Sequence, residues 1–318
     1  MIILVLMKLD IMQRERFEQI APEATFIYEQ AKTVSKEVVQ DANVILGNPH
    51  PEMLKDSINL KWLQTESAGV NQYTGEGILP EGVLLTNATG AYGIAVAEHM
   101  LGLLFMLFKK FHIARDQQSK QLWQNPGEMK YISNSTVLVV GLGDIGGEFA
   151  KMVKALGAYT IGVRRSNLDK PDYVDELYLM PDLEAQLSRV DVVAISLPAT
   201  AETEHLFDKK LLGQMKSDAI ILNVGRGNII VTQDLCEALE SNQLGGAGLD
   251  VMDPEPLPVN HPLWQYENVV ITPHCAGGSG RREIKHRLLQ IWEQNLKNYL
   301  MNEPLQNVVD FKTGYRQS

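Results

Sequence analysis

A chain of 318 residues, 45% of them hydrophobic and 21% charged, is long enough for two domains of ordinary size and apolar enough to fill their cores. Its net charge of -10 argues against nucleic-acid binding, which normally needs a basic face. The two cysteines, Cys236 and Cys275, stand in unrelated surroundings, so the sequence indicates neither a disulfide framework nor a thiolate metal site, and a reducing, cytoplasmic setting fits.

The first residues, Met1-Ile2-Ile3-Leu4-Val5-Leu6-Met7, lack the basic segment and small-residue cleavage site of a signal peptide and read as a buried strand. Up to about Leu85, short β-like runs at 2–7, 24–28, 43–46, 61–64 and 83–85 alternate with polar or helical stretches, which predicts a small parallel α/β unit. The mixture of small residues and turn formers at 87–93 reads as a hinge leading into one long helix from about Ile94 to Asp116. Its most hydrophobic run, 100–108, lies between Glu98-His99 and Lys109-Lys110 and falls short of the roughly 20 residues needed to cross a bilayer, so no membrane association is expected. That stripe reads as core or subunit interface.

A second alternation begins at Thr136, with strands expected at 137–140, 159–163, 190–196, 219–224, 247–251 and 268–271. Helical patterns lie between them, among them 148–156 and 233–241. Between the first of these strands and its helix stands Gly141-Leu142-Gly143-Asp144-Ile145-Gly146, the context a dinucleotide fingerprint requires. Gly141 would permit the tight turn, Gly143 would let backbone approach a pyrophosphate, and Gly146 would let helix and strand pack closely, with the helix N-terminus facing the phosphates and Asp144 and Ile145 among the cofactor-binding residues. Six strands starting from such a turn describe a Rossmann sheet.

The second strand of this set runs into Arg164-Arg165-Ser166, where NAD-binding sequences usually place an acid for the ribose hydroxyl. Guanidiniums suit a 2′-phosphate, so NADPH is expected to be preferred, with NAD possible and a solvated basic strand end as the plain alternative. After the last strand, Gly277-Gly278-Ser279-Gly280 reads as a second crossing. The helix expected from 281 to 300 carries Ile284, Leu288, Ile291 and Leu296 on one face, which predicts its return to the first domain. The organisation expected is therefore a discontinuous substrate-binding domain, 1–92 with 281–318, and a dinucleotide-binding domain, 93–280.

Three further segments place chemistry just after strands. Arg226 lies in Leu222-Asn223-Val224-Gly225-Arg226-Gly227, Glu255 in Asp253-Pro254-Glu255-Pro256, and His274 follows Ile271-Thr272-Pro273. Doubly wound sheets bind ligands at the carboxyl edge, where all three converge. Reduction of a 2-keto acid needs a hydride at C2, a proton for the carbonyl oxygen, and a cation to hold the carboxylate and polarise the carbonyl. His274 can donate the proton, with Glu255 as the carboxylate that orients its ring. Arg226 can grip carboxylate and carbonyl oxygens together, which fixes the angle of hydride approach. His50, His99, His112, His205, His261 and His286 stand in no comparable context and are assigned no role.

Through the segments 141–146, 223–227, 249–258 and 273–278, the whole chain resembles the D-isomer-specific 2-hydroxyacid dehydrogenase family. The resemblance implies an α/β protein of two domains, a Rossmann doubly wound parallel sheet plus a smaller flavodoxin-like α/β substrate domain. It puts catalysis on Arg226, Glu255 and His274, and the substrate carboxylate on backbone amides of Ser67-Ala68-Gly69-Val70, Ala68 and Gly69 above all. Asn71 stands where the family pattern has an aspartate. By the same resemblance Leu197, Pro198, Thr203, Val224 and Gly277 line the cofactor groove together with Arg226 and His274. Asp250 receives the nicotinamide carboxamide, and the long helix after the first crossing helps build a homodimer.

The activity so implied is NADPH-preferring reduction of small 2-keto acids, of the glyoxylate or hydroxypyruvate kind, to D-2-hydroxy acids, and the reverse oxidation. A phosphoglycerate dehydrogenase is the rival within the family, although many of those carry a C-terminal regulatory domain that the stretch after Leu300 is too short to hold. Formate dehydrogenases lack an acidic partner such as Glu255. A rival of another class is a dinucleotide-sensing, corepressor-like binding protein, which needs no proton donor.

Overall fold

The computed structural model describes residues 1–278, 282–311 and the backbone of 315–316. In chain order its strands are β1 (Ile2–Val5), β2 (Thr25–Tyr28), β3 (Val44–Leu46), β4 (Trp62–Gln64), β5 (Leu84–Thr86), β6 (Thr136–Val140), β7 (Tyr159–Arg164), β8 (Glu176–Leu179), β9 (Val192–Ile195), β10 (Ile220–Asn223), β11 (Gly246–Leu249), β12 (Val269–Ile271), β13 (Val309–Asp310) and β14 (Tyr315–Arg316). The α-helices are α1 (Ile11–Ile20), α2 (Lys36–Asp41), α3 (Pro51–Leu54), α4 (Gly93–Phe108), α5 (Phe111–Ser119), α6 (Asp144–Ala155), α7 (Leu183–Gln186), α8 (Lys209–Leu212), α9 (Thr232–Glu240) and α10 (Arg282–Met301). They form two compact units, Met1–Tyr92 with Gly278–Ser318, and Gly93–Gly277. Among the described residues no helix is long and apolar enough to cross a membrane.

The first unit is built on a parallel sheet in the order β2-β1-β3-β4-β5. Ile3, Leu4, Val5 and Val44, Ile45, Leu46 are buried without the alternation of a half-exposed strand, the pattern of a sheet covered on both faces. The apolar stripe of α10 buries Ile284, Leu288, Trp292 and Leu296, with Ile291 half-buried at its margin. A buried polar network ties this helix to the end of β4. Asn295 Nδ2 donates to Gln64 Oε1 at 2.8 Å, Thr86 Oγ1 donates to the same oxygen at 2.8 Å, and Trp62 Nε1 donates to Thr86 Oγ1 at 2.8 Å. Gln64 in turn donates to the carbonyls of Thr65 and Asn87 at 3.0 and 3.1 Å. Every member has a partner, so the network holds the chain rigidly where it leaves β4.

The second unit carries a parallel sheet in the order β12-β11-β10-β9-β6-β7-β8. The chain begins near the middle at β6, runs outward through β7 to β8, then returns to β9 on the other side of β6. The reversal leaves a switch point at the carboxyl ends of β6 and β9, where such sheets bind ligands. Helix α4 is apolar nearly all round, and Met100, Leu103, Leu104, Leu107 and Phe108 are buried. The stripe is core on that face, while Leu101, Phe105 and Met106 are only partly buried.

Several boundaries differ from the expectation. The long helix after the hinge is two, because Lys110 takes a left-handed conformation at φ 55° and ends the run without the glycine that usually marks such a stop. A seventh strand, β8, extends the sheet; its four residues are all only partly buried, and Glu176 pairs with Arg189 at 2.5 Å, so this edge strand lacks an apolar signature. Ser279, Gly280 and Arg281, expected in the second crossing and at the start of the last helix, lie outside the described residues.

Candidate active site

Strand β6 ends at Val140 and the chain turns at Gly141, whose φ of 98° suits glycine. Helix α6 then starts behind Gly143, which caps it without a side chain. At Gly146 a Cβ would lie 1.9 Å from the Gly141 carbonyl oxygen, so no larger residue fits this strand-to-helix packing. Asp144 and Ile145 occupy the first positions of the helix, where backbone N–H groups and the helix dipole favour an anion. Across the switch point, Ser196 Oγ donates to the Gly141 carbonyl at 2.8 Å and Leu197 lies against Gly141. Pro198 and Thr203 shape the next turn: Thr203 Oγ1 donates to the Pro198 carbonyl at 2.6 Å and accepts from Thr200 N at 2.9 Å.

Arg164 is the last residue of β7, with Arg165 and Ser166 exposed beyond it. Its Nη2 donates to the Asp169 carbonyl at 3.3 Å, while its Nε is buried with no acceptor among the described residues. A buried donor left unpaired costs about 1–3 kcal/mol, so its persistence at the strand end suits a strong acceptor supplied by a ligand. The glycine turn, the helix start and this guanidinium together fit a dinucleotide.

After β10, Asn223 organises the turn that presents Arg226. Asn223 Oδ1 accepts from Gly225 N at 3.0 Å, and its Nδ2 donates to the Arg226 carbonyl at 2.9 Å. The Arg226 side chain is largely buried, which pushes its guanidinium below the usual arginine range while Glu255 pulls it back. Nη1 donates to the Gly225 carbonyl at 2.7 Å, leaving other N–H groups of the fork for a ligand. Val224 is buried beside it.

The loop after β11 brings Glu255 to His274. Glu255 Oε2 meets His274 Nδ1 at 2.8 Å, and Oε1 accepts from Met252 N at 2.9 Å. The carboxylate is therefore fixed by backbone on one oxygen and orients the imidazole with the other, leaving Nε2 to face a reacting group. His274 itself has φ 47°, a left-handed conformation that costs a non-glycine residue of order 1 kcal/mol and is held by its N–H to the Asp250 carbonyl at 2.9 Å.

Asp250, buried to 1% exposure, does more than the sequence suggested. Its Oδ1 accepts from Thr272 Oγ1 at 2.6 Å and Cys275 N at 3.0 Å, and its Oδ2 accepts from Ala276 N at 3.1 Å. The carboxylate thus clamps both sides of His274, next to Gly277. Since the Thr272 hydroxyl proton goes to Asp250, its oxygen accepts from His99 Nε2 at 2.9 Å. His99, Asp250 and Cys275 offer ligand atoms within 4.8 Å of one another, but His99 presents an N–H to this cluster and Asp250 is engaged three times by its own chain. Neither His99 nor Thr272 carries a local sequence signal; they meet from positions 173 residues apart.

In the first unit, the chain leaving β4 forms a loop whose carbonyls are all occupied. The Tyr92 hydroxyl donates to the Glu66 carbonyl, Ala88 N to Ser67 at 3.0 Å, Asn87 Nδ2 to Ala68 at 2.9 Å, and Ser67 Oγ to Gly69 at 2.7 Å. The N–H groups of Ser67, Ala68, Gly69 and Val70 meet no acceptor among the described residues. Successive amides without an acceptor can hold an anion. Asn71 follows as the first residue of a short 3-10 turn, Asn71–Tyr73.

Comparison with known proteins agrees with this geometry. Residues 101–276 match the family model described as D-isomer specific 2-hydroxyacid dehydrogenase, NAD binding domain. A glyoxylate reductase of Thermofilum pendens is 30% identical over 260 residues, covering 79% of this chain and 75% of the relative. An uncharacterized protein in the proB 3'region of Corynebacterium melassecola is 33% identical over 290 residues, covering 88% and 92%. The crystal structure of a D-isomer specific 2-hydroxyacid dehydrogenase family protein from Aeromonas salmonicida superposes with a TM-score of 0.85 at 30% identity, covering 98% of this chain and 99% of the other. With its fingerprint turn, its buried arginine and its paired glutamate and histidine, the chain belongs to the D-isomer specific 2-hydroxyacid dehydrogenase family.

Proposed function

We propose that the protein reduces small 2-keto acids of the glyoxylate or hydroxypyruvate kind to D-2-hydroxy acids with NADPH, and runs the reverse oxidation. The observation that carries this reading is the His274 Nδ1 to Glu255 Oε2 contact of 2.8 Å, at the same sheet edge as the largely buried Arg226. In the first unit the amides of Ala68 and Gly69 are suited to a carboxylate, and in the second Arg226 offers its fork to the oxygens of a 2-keto acid. His274 Nε2 gives its proton to the carbonyl oxygen as it gains negative charge, while Glu255 keeps the ring oriented and balances the imidazolium. In the oxidation direction His274 takes the proton back. The bound nicotinamide supplies or accepts the hydride at C2. Gly141, Gly143, Asp144, Ile145, Gly146, Leu197, Pro198, Thr203, Val224 and Gly277 form the groove for the dinucleotide, Asp250 stands by its carboxamide, and Arg164, Arg165 and Ser166 receive the 2′-phosphate.

We also infer a homodimer, supported by the exposed apolar side chains of Leu122, Trp123, Met129 and Tyr131 in the stretch between α5 and β6. The test of the activity is incubation with NADPH and hydroxypyruvate, followed by chiral analysis of the glycerate formed. The D isomer is expected; the L isomer, or cofactor binding without turnover on any 2-keto acid, would overturn the reading, the latter in favour of a dinucleotide sensor.

A further inference from the structure

Beside its apolar stripe, α10 presents a polar one, and Glu283, Arg287, Gln290 and Gln294 of that stripe line an open cleft of about 720 Å³. Thr89-Gly90 and Gln306-Asn307 line it too, and all of these residues belong to the first unit. Hydrogen bonds within the fold fix the frame. Asn307 Nδ2 donates to the Thr89 carbonyl at 2.8 Å, and Asn87 N donates to the Asn307 carbonyl at 3.1 Å. Gln306 N donates to Asn295 Oδ1 at 2.8 Å and its carbonyl accepts from Asn295 Nδ2 at 3.0 Å, which ties the 306–307 segment to α10. A frame held in this way loses little order when a ligand arrives, so more of the contact energy appears as affinity.

The side chains on the cleft are left over from that frame. Thr89 has 9% exposure and its backbone N–H is taken by Asn87 Oδ1 at 3.1 Å, yet its hydroxyl meets no partner among the described residues. That hydroxyl is not among the sealed unpaired atoms, so it opens on the cleft that Thr89 lines. Arg287 is half-buried, and its guanidinium meets no carboxylate among the described residues, although Glu283 stands one helical turn before it on the same stripe. The carboxamides of Gln290 and Gln306 are likewise unpartnered. Ile291 is the one aliphatic side chain of the lining, which excludes an apolar ligand.

We propose that this cleft binds a small hydroxylated organic anion, a carboxylate or a phosphate monoester, at a site separate from the one that carries the keto-acid chemistry. Its volume is that of a small-molecule site, for which about 300–1,000 Å³ is usual. Arg287 takes the acidic group, because its planar fork matches the paired oxygens of either acid. The Thr89 hydroxyl and the two carboxamides can each donate and accept, which suits the hydroxyl groups of the ligand. Glu283 opposes a second negative charge and so favours the carboxylate over a doubly charged phosphate.

Calorimetric titration of the full chain with gluconate and with glycerol 3-phosphate, against glycerol and inorganic phosphate, tests the site. At least one of the hydroxylated anions is expected to bind with a Kd of about 1 mM or tighter, and the tighter of the two identifies the acidic group. Arg287→Ala should weaken that binding about ten- to a hundredfold, through the loss of charge-assisted hydrogen bonds. Thr89→Val should weaken it about two- to tenfold and leave the thermal stability of the free protein unchanged or raised, since the hydroxyl has no partner in the fold. Glu283→Gln should tighten glycerol 3-phosphate about fivefold. Glycerol or inorganic phosphate binding as tightly as the hydroxylated anions, binding that survives both Arg287→Ala and Thr89→Val, or no heat from either anion at about 10 mM, overturns the proposal. Binding lost in Arg226→Lys and kept in Arg287→Ala belongs to the keto-acid site and overturns it as well. If Arg287→Ala does not fold, unchanged affinity in Thr89→Val is by itself a refutation.

Discussion

Replacing Arg164 with Ala separates the two nicotinamide cofactors. Its Nε is buried without an acceptor and its only hydrogen bond among the described residues is the 3.3 Å contact from Nη2 to the Asp169 carbonyl. A hydrogen bond to a charged group contributes about 1.5–3 kcal/mol, which is roughly 10- to 150-fold in affinity. Arg165 and Ser166 are exposed, and an exposed ion pair contributes about 1 kcal/mol at most, so Arg165→Ala should cost NADPH no more than about fivefold. Loss of the Asp169 contact loosens the loop for either cofactor and cancels in the ratio. The contact lies far from the transferred hydride and acts alike in ground and transition states, so the change belongs in KM rather than kcat. Initial rates with saturating keto acid and varied NADPH or NADH give kcat/KM for each. The expected result is a wild-type preference for NADPH of at least about tenfold that Arg164→Ala abolishes while NADH stays within about threefold. Equal values in the wild type, or an unchanged preference in the variant, would exclude Arg164 as the 2′-phosphate contact. Without cofactor, Arg164→Met should leave thermal stability unchanged or raise it, because it removes an unpaired buried donor.

Arg226→Lys should be severe despite keeping the charge, since an ammonium lacks the planar fork; a change under about threefold in kcat/KM, near 0.7 kcal/mol, would exclude a bidentate role. Thr272→Val removes the 2.6 Å donation to Asp250 and the 2.9 Å contact with His99 Nε2, so urea unfolding should register about 1–3 kcal/mol lost along with a fall in kcat. An effect below about 0.5 kcal/mol with normal kcat would mean that the clamp on the 274–276 turn does not matter. For Glu66 the folded protein raises the pKa, so the folded chain binds the proton more tightly than the unfolded one. That stability is fully present below the ordinary carboxylate range and is lost as pH rises through the raised value. Glu66→Gln should therefore stabilise the protein at about pH 8 and have little effect at about pH 4, as thermal melts at the two values would reveal; equal effects at both would contradict it.

The parts of the site legible in the sequence are those whose logic is local. The fingerprint turn shows because the positive φ of Gly141 and the 1.9 Å approach at Gly146 are imposed by residues five apart, within one strand-to-helix turn. Arg226, Glu255 and His274 show because each follows its own short strand, and parallel strands bring their carboxyl ends to one edge. Long-range partners leave no such trace: His99 received no role, and its place beside Thr272 exists only because α4 packs along the sheet of the second unit. Asp250 was expected to serve only a cofactor, since nothing in its neighbours announces that its oxygens hold Cys275 and Ala276. Glu66 carries no sign in the sequence of its partial burial, which tertiary packing creates. Strand β8 and the break at Lys110 escaped for the same reason, the first through its partly buried edge position and the second through a left-handed lysine.

On the proposed function His274, oriented by Glu255, is the proton donor of a keto-acid reductase. The most direct test is the initial rate of NADPH oxidation with glyoxylate by the wild type and by His274→Gln, with cofactor affinity measured in parallel by fluorescence titration. The wild type should turn over, and the variant should bind NADPH normally while losing about 10²–10⁴-fold in kcat. Near-normal kcat in His274→Gln would exclude His274 as the proton donor, and a wild type that binds NADPH and reduces no 2-keto acid would exclude the reductase.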